Sequence, residues 1–286
     1  MGNIAIVADS SACLPGELLA RYGIVSVPLG LVIDGQVYPD GSLTPAELFE
    51  RVEASRRGGQ TTSPAPGEVL EAFERARDGG AEAVVCLTLS ARYSGTHSAA
   101  VNAAKLATER LPGLDVRVVN TGGLAMTHGF AVLAAARAAE AGASVGEAAS
   151  TALIVGERGR LIGALDTLRY LVKGGRVPLI VGWASSLLRI KPVLAFEDGK
   201  ARSIARPRTW AAAKGRMLDA MAKRLSGRGT LHAAVMHTDA AERAAELARD
   251  VCERFRPKEM LVTEFTNVMA IHTGPGFVGL AFYEDD

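Results

Sequence analysis

"AVVCLTLSARYSGTHSAAVNAAKLATERLPGLDVRVVN", residues 83–120, decides the fold class. Its first eight residues, Ala83 to Ser90, form a short apolar run without alternation, which is the pattern of a strand buried on both faces. From Ser94 the chain reads as a helix, opened by the hydroxyl of Ser94 or Thr96. Asp115 to Asn120 is again strand-like. Strand, helix and strand at this spacing make a crossover unit, and such units build parallel sheets.

Working outward, the same rhythm recurs. Ile4 to Ala8 is a short buried strand running into "DSSACLP" (9–15), where Ser and Asp can cap a helix that carries Pro15 in its first turn. "IVSVPL" (24–29) is a second strand, and "LVIDGQVYP" (31–39) a hairpin turned by Asp34-Gly35. Thr44, Pro45 and Glu47 make a capping box. "TTSPAPG" (61–67) is a loop before a helix. After Asn120 come the loop "TGG", an Ala-rich helix through 142 and one further helix. Near 160 the pattern changes to a strand (160–166), a short helix ending at Gly174-Gly175 and two strands joined by Asp198-Gly199. Helix 209–225, strand 231–237, helix 239–254, strand 260–265 and a terminal strand 277–283 follow. "HTGPG" (272–276) reads as a turn between strands. These elements predict two α/β lobes, residues 1–158 and 159–286.

Charge narrows the function classes. Thirty-two basic and 31 acidic residues leave a net charge of +1, with no long-range field for nucleic acid. Local basic runs such as "ERGR" and "ARPR" are short, and such runs are most often solvated faces. Three scattered cysteines in no metal-binding spacing fit a reducing cytoplasm. The start "MGNIAIVA" has no basic lead and reads as a first strand instead of a signal peptide, and no run is long enough to span a membrane.

Four predicted strand ends are followed at once by small polar residues: Asp9-Ser10-Ser11, Ser90 to Thr96, Asn120-Thr121 and His272-Thr273. Ligands of open α/β sheets sit beyond the carboxyl ends of strands, where helix N-termini favour an anion. Taken singly, Ser and Thr at such helix starts are most often ordinary caps. "GPGFVG" fits a dinucleotide fingerprint by spacing, but a β-rich run follows it where a helix is required. A phosphate loop of the GxxxxGK[ST] kind is absent, and so is G-x-S-x-G around Ser94. His232 and His237 face opposite sides of one strand and cannot easily share a metal; His97 and His128 lie in helices. His272 alone is expected on a strand-end loop.

In series, "DSSACLP", "TTSPAPGE", "LSARYSGTHSAA", "LRYLVKGGRV", "IKPVL", "DGKARSIARPRT" and "HTGPG" resemble the DegV family across nearly the whole chain. The resemblance implies two α/β lobes with a long-chain fatty acid bound between them. It also implies a carrier without catalysis of its own, which presents the acid to a separate kinase subunit that makes an acyl-phosphate. No cofactor or metal is implied beyond the bound fatty acid, and a transient membrane contact is compatible with loading. Carried over by position, Thr62, with Ser63 beside it, and Ser94, with the Gly95 N–H, would hold the carboxylate. His272 would lie close by, and Arg176 and Arg208 would face the partner or the phosphoryl group. The apolar segment "LIVGWASSLL" (179–188) could line an acyl tunnel, or be ordinary helix packing. Departures from the family are Pro64 in place of Gln, Asn120-Thr121 in place of Asp-Ser, and a thinned basic stretch after Arg208. Two rivals stand beside this reading. One is a small hydrolase or phosphatase using Ser94 and His272; the other is a regulatory binder of another amphiphilic anion.

Overall fold

The computed structural model describes residues 3–174, 190–197 and 200–285. In chain order its elements begin with β1 (Ile4–Asp9), a single 3-10 turn (Ser10–Ala12), α1 (Gly16–Arg21), β2 (Val25–Val27), β3 (Gly30–Ile33), β4 (Gln36–Pro39), α2 (Pro45–Ala54) and β5 (Gly59–Thr62). Next come α3 (Pro66–Asp78), β6 (Ala83–Thr88), α4 (Thr96–Arg110), β7 (Asp115–Asn120), α5 (Met126–Glu140) and α6 (Val145–Arg158). The remainder is β8 (Arg160–Ala164), α7 (Arg169–Lys173), β9 (Val193–Glu197), β10 (Lys200–Ala205), α8 (Trp210–Ala222), β11 (Thr230–His237), α9 (Ala241–Phe255), β12 (Glu259–Glu264), α10 (Asn267–Thr273) and β13 (Val278–Asp285).

Two compact units result, Met1–Gly30 with Thr61–Gly159, and Leu31–Gln60 with Arg160–Asp286. The chain therefore leaves the first unit once and returns, and residues 31–60, counted with the first lobe on sequence, cluster with the second. The reason is tertiary: Asn267 donates its side-chain amide to the Leu43 carbonyl at 2.7 Å, and Asp40 accepts from the Val268 N–H at 3.1 Å. Asp40 thereby caps α10, whose own N-cap, Thr266, makes no side-chain cap. Locally this insertion folds as expected. Asp34 and Gly35 both take positive φ in the hairpin turn, at 48° and 85°, and the Thr44–Glu47 capping box forms in both directions.

The first unit holds a four-stranded, fully parallel sheet in the order β2-β1-β6-β7. Val7, Val84 and Cys86 face α3 and α4, packing with Phe73, Ala100 and Ala103. The alternate strand residues face the opposite way, where α5 and α6 pack on each other and on the sheet. Strand residues buried on both faces are what the apolar run 83–90 demanded. The second unit holds a six-stranded sheet, β10-β9-β8-β13-β11-β12, in which only the β11–β12 pair is parallel. A three-stranded sheet, β4-β3-β5, accompanies it. Thr61 and Thr62, read as loop, end β5.

One expectation is corrected outright. "HTGPG" is not a turn between strands: His272 and Thr273 are the last residues of α10, and Gly274 to Gly276 lead into β13. The residues just before it, "VMAI" (268–271), are a short apolar run, and such runs do not distinguish strand from buried helix.

Candidate functional site

In the order β2-β1-β6-β7 the connections run to opposite sides from β1 and β6, so the switch point lies between these two strands. Asp9 ends β1, and the loop from Leu89 to Gly95 leaves β6 toward α4. Three contacts fix that loop. The Ser90 N–H donates to the Gly123 carbonyl at 2.9 Å, the Ala91 N–H to Asn120 Oδ1 at 3.2 Å, and the Leu89 N–H to Asp9 Oδ2 at 2.7 Å. Asn120 also accepts from the Gly122 N–H at 3.2 Å. An amide oxygen serves both donors, so the loss of a carboxylate at this position leaves the loop anchored.

The loop delivers a cluster of hydroxyls. Ser94 Oγ lies 3.1 Å from Ser63 Oγ and 2.8 Å from Thr96 Oγ1, and it accepts from the Thr96 N–H at 3.2 Å. Gly95 permits this closeness, because a Cβ there would stand 3.2 Å from Ser63 Oγ. Ser63 and Ser94 are half-buried, Thr96 is buried and Gly95 is exposed. Thr62 is exposed and turns its hydroxyl to the Ser63 carbonyl at 3.2 Å. Of the sequence-named residues, the structure therefore brings together Ser63, Ser94 and Gly95, with Thr62 adjacent in the chain. The helix start beneath them offers backbone N–H groups and the positive end of the α4 dipole, a setting for a carboxylate or phosphate.

Below the loop, Asp9, Ser11 and Thr121, named on sequence as polar strand-end residues, meet His128, which sequence reasoning read only as a helix histidine. Asp9, 3% exposed, also accepts from the Ser11 N–H at 3.1 Å and the Ser11 hydroxyl at 2.5 Å. His128, fully buried, places Nε2 3.6 Å from Asp9 Oδ2 and Nδ1 3.1 Å from Thr121 Oγ1. Thr121 donates to the Thr88 carbonyl at 3.0 Å, so its oxygen accepts from His128 Nδ1–H. Burial pushes the His128 imidazole below its ordinary value, against the opposing pull of Asp9. His97 Nδ1 meets Thr88 Oγ1 at 3.2 Å. The signals for this cluster in the sequence were the polar residues that follow two apolar strands, "DSS" and Asn120-Thr121; nothing there marked His128.

In the second unit, α10 holds His272 in its last turn, with the ring half-buried. Glycines make the fit. A Cβ on Gly174 would stand 2.7 Å from His272 Nδ1 and 3.2 Å from the Tyr170 carbonyl. Gly274, at φ 77°, would put a Cβ 2.8 Å from Tyr170 Cγ, and Gly276, at φ 80°, one 2.7 Å from Asp166 Cγ. The turn is thus packed against the Tyr170 ring and the Asp166 carboxylate. Tyr170 in turn donates to Glu53 Oε1 at 2.7 Å, and Arg169 pairs with the other oxygen. The Tyr170 hydroxyl, first of all, holds the Glu53 carboxyl below the usual range, while burial and Glu53 push Tyr170 up to about 12. Asp166 is held by Lys191 at 2.5 Å and Arg243 at 3.0 Å. Arg208 is exposed in the segment before α8. Arg176 and the whole of "LIVGWASSLL" (179–188) lie outside the described residues. Among the described residues no group of His, Cys, Asp or Glu is arranged to hold a metal, and no helix is long and apolar enough to cross a membrane.

Comparison with known proteins bears on the same chain length. The family model described as "Uncharacterised protein, DegV family" matches residues 3–285. A DegV domain-containing protein of Streptomyces coelicolor is 37% identical over 279 residues, 97% of each chain. Among solved structures, a fatty-acid-binding DegV family protein of Thermus thermophilus is 30% identical with a TM-score of 0.90, covering 100% of both chains. A stearic-acid-binding protein of Eubacterium ventriosum is 26% identical with a TM-score of 0.89, over 99% of this chain and 98% of its own.

Proposed function

Because the chain belongs to the DegV family, we propose that it binds a long-chain fatty acid, with the carboxylate at the cluster of Ser63, Ser94, Gly95 and Thr96 and with Thr62 beside it. The observation that supports this reading is the convergence of three hydroxyls on the start of α4, at the switch point of a parallel sheet. Hydroxyl and amide donors satisfy a carboxylate, and the helix dipole adds a favourable field without a buried ion pair. Affinity then comes from the acyl chain, at about 0.8 kcal/mol for each buried methylene. The family resemblance adds His272 as a further contact of the headgroup.

The protein acts, in this reading, as a carrier without chemistry of its own. A separate kinase subunit phosphorylates the carboxylate to an acyl-phosphate, and by the family resemblance Arg208 and Arg176 would serve that partner. Ser94 is better suited to holding an anion than to attacking one. Among the described residues of the first unit its Oγ meets hydroxyls and a backbone N–H, whereas a nucleophile needs a general base in reach.

Native mass spectrometry of gently purified protein should show the added mass of a fatty acid. Protein that is always empty and takes up no added palmitate would defeat the reading. Thr62→Ala combined with Ser94→Ala should weaken retention, and unchanged binding would remove both residues from the site.

A further inference from the structure

Asp9 plays a part beyond its own turn. Its bonds to the Ser11 N–H and hydroxyl are those of an ordinary cap on the 3-10 turn that follows β1. The bond from Leu89 is different: donor and acceptor are 80 residues apart, and it crosses from the end of β1 to the first residue beyond β6. That crossing is at the switch point, and the loop it holds is the one that carries Ser94 and Gly95.

We propose that Asp9 is a positioning residue for the carboxylate site, holding the Leu89–Gly95 loop so that Ser94 and the start of α4 are presented to the headgroup. The proposal rests on the fatty-acid reading above. Only a carboxylate does this work, because three donors converge on it: two from Ser11 and one from Leu89. An asparagine has a single acceptor oxygen, and its amide would face a donor at either Ser11 or Leu89. With Asp9 almost fully buried, water cannot replace the missing acceptor. His128 Nε2 stands 3.6 Å from Asp9 Oδ2, too far for a hydrogen bond, so the lone pairs of Asp9 stay with the two amides and the Ser11 hydroxyl.

The test separates positioning from general loosening by pairing two ligands of equal chain length, palmitate and hexadecanol, which differ only in the headgroup. Binding of each to the full-length protein is titrated for wild type, Asp9→Asn and Ser11→Ala. Asp9→Asn should weaken palmitate about tenfold or more, the loss of one hydrogen bond to a charged group, and leave hexadecanol within about twofold. Ser11→Ala removes one donor to Asp9 and keeps the Leu89 bond, so it should show the same selectivity at a few-fold loss, and it decides the question if Asp9→Asn does not fold. Equal losses for both ligands, or unchanged palmitate binding, overturn the role of Asp9 while leaving the fatty-acid reading intact. A wild-type protein that binds no palmitate overturns both.

Discussion

Gly156 is where helix propensity and packing make opposite predictions. It lies in the last turn of α6, buried against the end of β7. Propensity alone says that Gly156→Ala should stabilise the helix by about 1 kcal/mol. The structure says otherwise. A Cβ there would fall well inside 3.0 Å of the Thr121 carbonyl oxygen, a separation real Cβ atoms essentially never show, with the Thr121 carbonyl carbon at 3.1 Å and its Cα at 3.4 Å. The obstacle is backbone and cannot rotate away. Thr121 is itself pinned to the Thr88 carbonyl through its N–H at 3.1 Å and its hydroxyl at 3.0 Å. Either α6 shifts off the sheet or this pair of bonds opens. Overpacking costs roughly 1–3 kcal/mol, and a clash with backbone that cannot move falls in the upper part of that range, about 2–3 kcal/mol; less about 1 kcal/mol of propensity gain, the net should be about 1–2 kcal/mol of lost stability. Gly215 in α8 is the control: a Cβ there meets nothing within 4 Å, so Gly215→Ala should gain up to about 1 kcal/mol. Thermal unfolding followed by far-ultraviolet circular dichroism reads both, with roughly 2–4 °C of Tm expected for each kcal/mol. A Gly156→Ala protein as stable as wild type, or a Gly215→Ala protein that loses as much, would refute the reasoning.

Three further outcomes follow from the same geometry. His128 is held below its ordinary value of 6.5 in the fold, so the unfolded chain binds more protons as pH falls. Its share of stability is complete above that value and is lost as pH drops through the folded pKa; the difference in stability between wild type and His128→Asn should therefore shrink on acidification, and a pH-independent difference counts against it. Gly174→Ala should push the His272 ring from its place, since the new Cβ would stand 2.7 Å from Nδ1; the ring resonances of His272 should shift in the nuclear magnetic resonance spectrum, and an unmoved imidazole contradicts the fit. Tyr170→Phe removes the donor to Glu53, costing about 1 kcal/mol, and the Glu53 carboxyl should titrate higher than in wild type; a titration that does not move would place the cause elsewhere.

What could be read from sequence was what is local. The crossover at 83–120, the Asp34-Gly35 turn and the Thr44–Glu47 capping box depend on residues a few positions apart, and each forms as expected. What could not be read depends on partners far away in the chain. α10 is capped by Asp40, 228 residues from Val268, so nothing near "VMAI" announced a helix. The transfer of residues 31–60 to the second unit has the same origin. Ser63 and Ser94 were named through family resemblance, but that Ser63, and not Thr62, would touch the Ser94 hydroxyl depends on how the chain bends after β5. His128 looked like any histidine in an Ala-rich helix, and only packing sets its ring against Asp9 and Thr121.

The placement of "HTGPG" shows how a positional rule can hold although the element assigned to it changes. The rule for open sheets puts ligands beyond the carboxyl ends of strands, and His272 precedes β13 instead of following a strand. Yet β13 runs antiparallel to both neighbours, with Val278 opposite Ala164 at the end of β8 and opposite His237 at the end of β11. The amino end of β13 therefore lies at the same edge of the sheet as the carboxyl ends of β8 and β11. The Gly276 N–H donates to the Thr238 carbonyl at 2.8 Å and the Thr238 N–H to the Phe277 carbonyl at 3.0 Å, which ties the turn to that edge. Reversing one strand brings a helix C-terminus to a position that a parallel sheet would give to a strand end. Gly274 and Gly276 then let the turn lie directly on Tyr170 and Asp166, where any larger residue would lift it away and carry His272 with it.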